Sequence, residues 1–151
     1  LFTSFYKMAF KLTIPSSRCR VEHVAKTAST AIAEGEAVYT VSGAVSPLSA
    51  ASDERIKGIA MREVTAASSD YATSGAKIAV LIDEDGTWEA DPSSTTNTIT
   101  VGTYLDYATS KTVHVSNSTY DQFKVTVGGT NLTKLTGKIT RWEDSEPPAT
   151  N

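Results

Sequence analysis

The sequence predicts an all-β domain, either a small β-barrel or a sandwich. Three observations carry this. Between residues 31 and 91, short β-branched runs are punctuated by glycine turns: Ala33-Glu-Gly-Glu-Ala-Val-Tyr39, Gly43-Ala-Val-Ser-Pro-Leu48, Arg55-Ile-Lys-Gly-Ile-Ala60, Ser74-Gly-Ala-Lys-Ile-Ala-Val-Leu-Ile82 and Asp83-Glu-Asp-Gly-Thr-Trp-Glu-Ala90. Many short strands separated by regular turns mark sandwiches and barrels. The last third keeps the rhythm: Phe123, Val125 and Val127 alternate with Lys124 and Thr126, the period-two pattern of an antiparallel strand with one buried face. Serine and threonine supply roughly a quarter of the 151 residues, well above ordinary usage, which suits strands whose outer faces meet water or another protein.

That length accommodates one hydrophobic core and extended arms. Residues 1–20 read as an N-terminal arm. Phe2, Phe5, Tyr6 and Phe10 fit no sustained strand periodicity, and Pro15 and a polar Ser16-Ser17-Arg18 stretch follow them. Four aromatic residues on an exposed arm invite aggregation, so they are expected to be buried, on their own domain or on a neighbour.

Residues 21–142 read as the β domain. A first strand is expected within residues 20–28. Glu34-Gly35-Glu36 is a tight turn, residues 37–41 a strand, Ser42-Gly43 a hairpin turn, and Pro47 the end or edge of the returning strand. Residues 49–54 are a loop or one helical turn. Residues 55–61 alternate well enough for a strand, in which Gly58, between Ile56 and Ile59, signals a bulge or a close backbone approach. The alanine- and serine-rich residues 64–74 are the one place for a short helix. Residues 76–83 are the most apolar run, expected as a buried central strand. Asp83-Glu84-Asp85-Gly86 reads as an acidic hairpin turn that brings residues 87–90 back as the partner strand. Residues 92–97 form a polar surface connector. Further strands are expected within 98–100, 104–107, 112–115, 122–127 and 132–142. Residues 143–151, with three acids and Pro147-Pro148, read as an extended, mobile acidic tail.

Chemistry is sparse along the chain. The two histidines, His23 and His114, accompany no nucleophile motif, and no glycine-flanked serine elbow is present. Cys19, the single cysteine, lies between Arg18 and Arg20, whose charges favour a thiolate, yet no base stands beside it in sequence. The 83–86 turn has the acidic start of a calcium loop without the oxygen ligands that must follow. No catalytic residue, cofactor or metal is therefore expected. Trp88, Trp142 and six tyrosines leave room for a sugar-stacking surface, which needs exposed coplanar rings. Asn117-Ser-Thr and Asn131-Leu-Thr match the glycosylation pattern, and read as chance matches in a threonine-rich chain. A formal net charge of −3 argues against a nucleic-acid partner, which demands a dense basic face. No run approaches the roughly 20 apolar residues of a membrane helix, and Lys7 and Lys11 break up the N-terminus as a signal peptide. A soluble protein with no membrane association is expected.

Glu34-Gly-Glu-Ala-Val38, Gly43-Ala-Val-Ser-Pro47, Ile56-Lys-Gly-Ile-Ala60, Gly75-Ala-Lys-Ile-Ala-Val80 and Gly102-Thr-Tyr-Leu-Asp106, in that order, resemble the capsid cement, or head decoration, proteins of tailed bacteriophages. The resemblance covers roughly residues 30 to 142. It implies a β-tulip-like sandwich, placement on the outer surface of an icosahedral head, and a homo-oligomer, commonly a trimer, tying together subunits of the major capsid protein. Under it, Phe2, Phe5, Tyr6 and Phe10 are the expected capsid contacts, with the arm adding a strand to a capsid sheet edge. Another virion part, such as a tail tube or fibre subunit, and a carbohydrate-binding module are the alternatives.

Overall fold

The computed structural model describes residues 9–49 and 55–144. They form strands and turns without a helix. The strands are β1 (Phe10–Ile14), β2 (Arg20–Ala25), β3 (Ala37–Val41), β4 (Ala44–Pro47), β5 (Gly58–Ala60), β6 (Lys77–Ile82), β7 (Thr87–Pro92), β8 (Thr98–Ile99), β9 (Tyr104–Leu105), β10 (Thr112–Val113), β11 (Phe123–Val127), β12 (Gly129–Thr130) and β13 (Leu135–Ile139).

One sheet runs β1-β7-β13-β11-β9, with β10 added in parallel to the end of β7. The other runs β2-β6-β5-β3-β4, and a β8–β12 ribbon stands apart. The architecture is all-β, as the sequence predicts, and sandwich-like. The second sheet curls until the residue after β2 meets β4 at a single parallel bridge, Lys26 to Val45. Closure stops there, so neither sheet becomes a barrel.

Strand pairing shows why β5, within the expected 55–61 strand, is buried on both faces instead of alternating. Its register places Ala37, Ile59 and Leu81 on one face and Val38, Gly58, Ala60 and Val80 on the other. All three β5 residues are buried, because the curled sheet encloses one face and the first sheet covers the other. Gly58 is a close approach: a Cβ there would sit 2.9 Å from the Val80 Cβ and 3.0 Å from the Leu81 carbonyl oxygen. The predicted Ser42-Gly43 hairpin turn is present, with φ of 52° and 84°, the left-handed pair that suits the twist of a two-residue hairpin.

Four expectations change. First, β1 lies inside the stretch read as an arm. It pairs antiparallel with β7, and Phe10 is fully buried, its ring edge-on to Tyr107 at 5.4 Å. Burying such a ring contributes about 1.5–3 kcal/mol, which outweighs the irregular aromatic spacing. Second, residues 64–74 form successive turns instead of a helix. The Ser68 hydroxyl accepts the Thr65 N–H (2.9 Å), and the fully buried Lys26 ammonium donates to the carbonyls of Asp70 (2.6 Å) and Tyr71 (3.1 Å). Side chains thus take the backbone groups that a helix would pair. Third, residues 83–86 form a corner between sheets. β6 belongs to the curled sheet and β7 to the other. Fourth, a register shift between Val125 and Val127 turns Val127 outward, 54% exposed, although Phe123 and Val125 are buried.

Two tryptophans fill the core. Trp88 and Trp142 are buried with centroids 5.9 Å apart, and their ring nitrogens donate to the carbonyls of Asp83 (3.3 Å) and Ile139 (2.8 Å). They present no face to solvent, so they cannot form the sugar platform. The Asp106 carboxylate, also buried, accepts the amides of Thr119 (2.8 Å), Tyr120 (2.7 Å) and Asp121 (3.0 Å), which fixes the loop before β11. Burial raises the Tyr107 phenol above its ordinary pKa, and its hydroxyl has no partner among the described residues.

Candidate interaction site

Three chain segments cross between the sheets, and a run of ion pairs links them. The β1–β2 connection and the 83–86 corner run side by side. The fully buried Asp83 bolts them together, accepting the Ser16 amide (2.7 Å) and the Ser16 hydroxyl. Arg20 forms a two-pronged pair with Glu84 (2.9 and 3.0 Å), and Arg18 bridges Glu84 and Asp85, each at 3.4 Å. The third crossing follows β13. The Ile56 amide donates to the Arg141 carbonyl (3.2 Å), and the Glu143 amide donates to the Ile56 carbonyl (2.8 Å). Asp144 then pairs with Lys57 (2.6 Å), and the Glu143 carboxylate accepts the amide and hydroxyl of Thr40 (3.2 and 3.0 Å). The first two residues of the expected mobile tail are therefore held on the domain. The rest of that tail lies outside the described residues.

The seam's titrations follow from its geometry. Hydrogen bonding to Arg20 holds the Glu84 carboxyl below its ordinary value of 4.5, against the opposing effect of burial. Burial pushes the Lys57 ammonium down, but its contacts with Asp144 and Glu22 more than offset this and leave it raised. A depressed carboxyl stabilises the fold fully above its unfolded pKa and ceases to do so as pH falls through its folded pKa. Wild type is therefore expected to exceed Glu84→Gln in urea stability at pH 7, with the gap closing as pH drops below about 4.5. A gap unchanged down to pH 3 would contradict the pairing. Because Arg20 is partly exposed, added salt should narrow the gap as well.

Arg18 and Arg20 are committed to Glu84 and Asp85, and Cys19 is half-buried in the turn between β1 and β2. Among the described residues no three His, Cys, Asp or Glu side chains gather to hold a metal ion. His23 is exposed on β2 and His114 half-buried after β10.

Two concave features stand out among the described residues. A shallow groove of about 530 Å³ lies between residues 91–95 and 131–134, walled by Ser94, Thr95 and Thr133 and crossed by the Lys134–Asp91 ion pair. The other is apolar, a cleft of about 90 Å³ between the two sheets. Phe10 and Leu12 line it from β1, Ile59, Ala60, Met61 and Leu81 from the curled sheet, and Glu34 stands at its rim. Val21 pairs with Leu81 and prolongs the apolar face on β2. No periodicity in the sequence announces this cleft, because its walls come from two sheets.

The cleft borders a strand edge. The Asp91 amide donates to the Ala9 carbonyl (3.3 Å) and the Phe10 amide to the Gly35 carbonyl (3.0 Å). Alternate residues of β1 thus bond toward β7, and the main-chain groups of Leu12, in phase with Phe10, point away from the sheet. The Ser93 amide, in phase with that of Asp91, donates to the Val113 carbonyl (2.9 Å). β10 therefore takes over the same edge of β7 where β1 ends.

Of the expected capsid contacts, Phe10 is a core residue, and Phe2, Phe5 and Tyr6 lie outside the described residues. No protein-family model matches the chain, and no curated protein matches it. The structure is similar to that of the head fiber gp8.5 N base in bacteriophage phi29. The match has a TM-score of 0.50 and 12% sequence identity, and covers 84% of this chain and 100% of that one. At this identity the likeness is one of fold.

Proposed function

We propose that the chain is a non-enzymatic structural protein of a tailed-bacteriophage virion. In this reading it sits on the outside of the head as a homo-oligomer, a trimer, bound to the major capsid protein. The observation that carries the reading is the fold shared with a phage head fiber base over the whole of that chain. The order of glycine-turn strands that resembles head decoration proteins points the same way. A head-surface protein acts through many copies of a modest interface, and closed symmetry keeps those contacts self-consistent.

The test is to mix the purified protein with undecorated heads and image them by cryo-electron microscopy. Ordered density on the outer surface at local symmetry axes is expected; heads that stay bare under saturating protein would refute the reading. A second reading follows from the same likeness, in which the chain is the base of a projecting head fibre. Native particles separate the two, since decoration gives low knobs and a fibre base carries a rod that rises from the knob.

A further inference from the structure

We propose that the free edge of β1 and the apolar cleft beside it receive residues 1–8 of a second copy of this chain, added as an extended strand with one aromatic ring in the cleft.

The receiving surface has both parts that strand addition needs. β1 is an outermost strand of its sheet, and the Leu12 main-chain groups facing away from β7 offer a donor and an acceptor. Beside them the cleft offers a side-chain pocket, so main-chain bonds supply affinity and the pocket supplies register. Closed apolar cavities of roughly 150 Å³ hold benzene. A cleft of about 90 Å³ that is open on one side is filled by one ring inserted part-way. Its outer wall is Met61, 39% exposed, an unbranched side chain that can move to admit a ring.

The occupant is argued from the chain that precedes Ala9. Leu1-Phe-Thr-Ser-Phe-Tyr-Lys-Met8 carries three aromatic residues in eight and no acid. Extended, eight residues span roughly 26–29 Å, longer than the five-residue β1 edge. A tight hairpin within one copy is obstructed. A hairpin partner from residues just before Ala9 would start opposite Phe10, where the Gly35 carbonyl already takes the Phe10 amide. Continuation along β7 is closed by β10. The edge is therefore open to a neighbour's segment and awkward for its own. Phe2, Phe5 and Tyr6 then engage a sister subunit in place of the head shell, an exchange that closes into a ring when each copy gives and receives. It rests on the homo-oligomer of the proposed function, and bare heads would refute the head-surface placement while leaving the exchange between copies standing.

The test compares the full chain, the chain lacking residues 1–8 and full-length Met61→Glu by sedimentation over a wide concentration range. Titration of a synthetic peptide of residues 1–8 into the truncated chain completes it. The full chain is expected to associate, and both variants to sediment as monomers with unchanged circular dichroism. The peptide should bind the truncated chain, and at least about tenfold more weakly once Met61→Glu is added. A full-length Phe5→Ser/Tyr6→Ser variant gives the same readout if truncation disturbs folding. A monomeric full chain, a truncated chain that stays associated, or peptide binding indifferent to Met61→Glu would each overturn the proposal. A monomeric full chain whose truncated form binds the peptide would assign the cleft to the chain's own segment instead.

Discussion

Replacing Trp142 with alanine is expected to destabilise the domain by about 3–5 kcal/mol, the range for removing a buried tryptophan from a packed core. Three connections fail together at this residue. Its ring is buried against Trp88, its indole nitrogen bonds the Ile139 carbonyl, and its backbone bridges to Ile56, so it joins the end of one sheet to the entry of the other. Domains of this size are stable by only about 5–15 kcal/mol, so the variant should be largely unfolded near its former thermal midpoint. Equilibrium urea unfolding of Trp142→Ala and Trp88→Ala measures the loss. In the double variant the two costs should be non-additive, since the rings share one contact. A loss under about 1 kcal/mol at Trp142 would mean that the C-terminal crossing is not part of the cooperative core.

Gly137→Ala should cost at least about 3 kcal/mol, the upper end of overpacking effects, although it adds a single methyl group. A Cβ at this position would lie 2.1 Å from the Lys124 carbonyl oxygen and 2.8 Å from the Phe123 ring. Backbone is the obstacle, and β13 cannot step aside because it is hydrogen-bonded between β7 and β11. Gly43→Ala is the control. It has open space around it and a φ of 84°, so it should lose only the roughly 1–2 kcal/mol of left-handed backbone strain. Thermal unfolding of the two variants side by side checks the order, and an equal loss would refute the account of Gly137.

The acidic corner shows how far local sequence reaches. Asp-Gly flanked by apolar runs is the code for a hairpin, and the Asp83–Gly86 stretch does turn the chain. The next strand does not pair back but joins β1 and β13 in the other sheet, and the corner is tied to Ser16, 67 residues upstream, through its bonds to Asp83. The aromatic N-terminus is similar. Spacing alone made Phe10 an arm residue, whereas the neighbouring β7 edge and the Tyr107 ring made it core. The candidate cleft was illegible for the same reason, since Leu12 and Leu81 belong to different sheets and lie far apart in sequence.

Many strand positions and turns were readable along the chain, β1 and the turns of residues 64–74 excepted, because period-two alternation and a positive φ are properties of a few adjacent residues. Ser42-Gly43, the Lys77–Ile82 strand and the all-β class follow from that local physics. Sheet membership, the burial of both faces of β5, the incomplete closure at Lys26 and Val45, and the open edge of β1 rest on contacts between distant segments. No short window of sequence contains both partners of such a contact, so only the packed tertiary structure decides them.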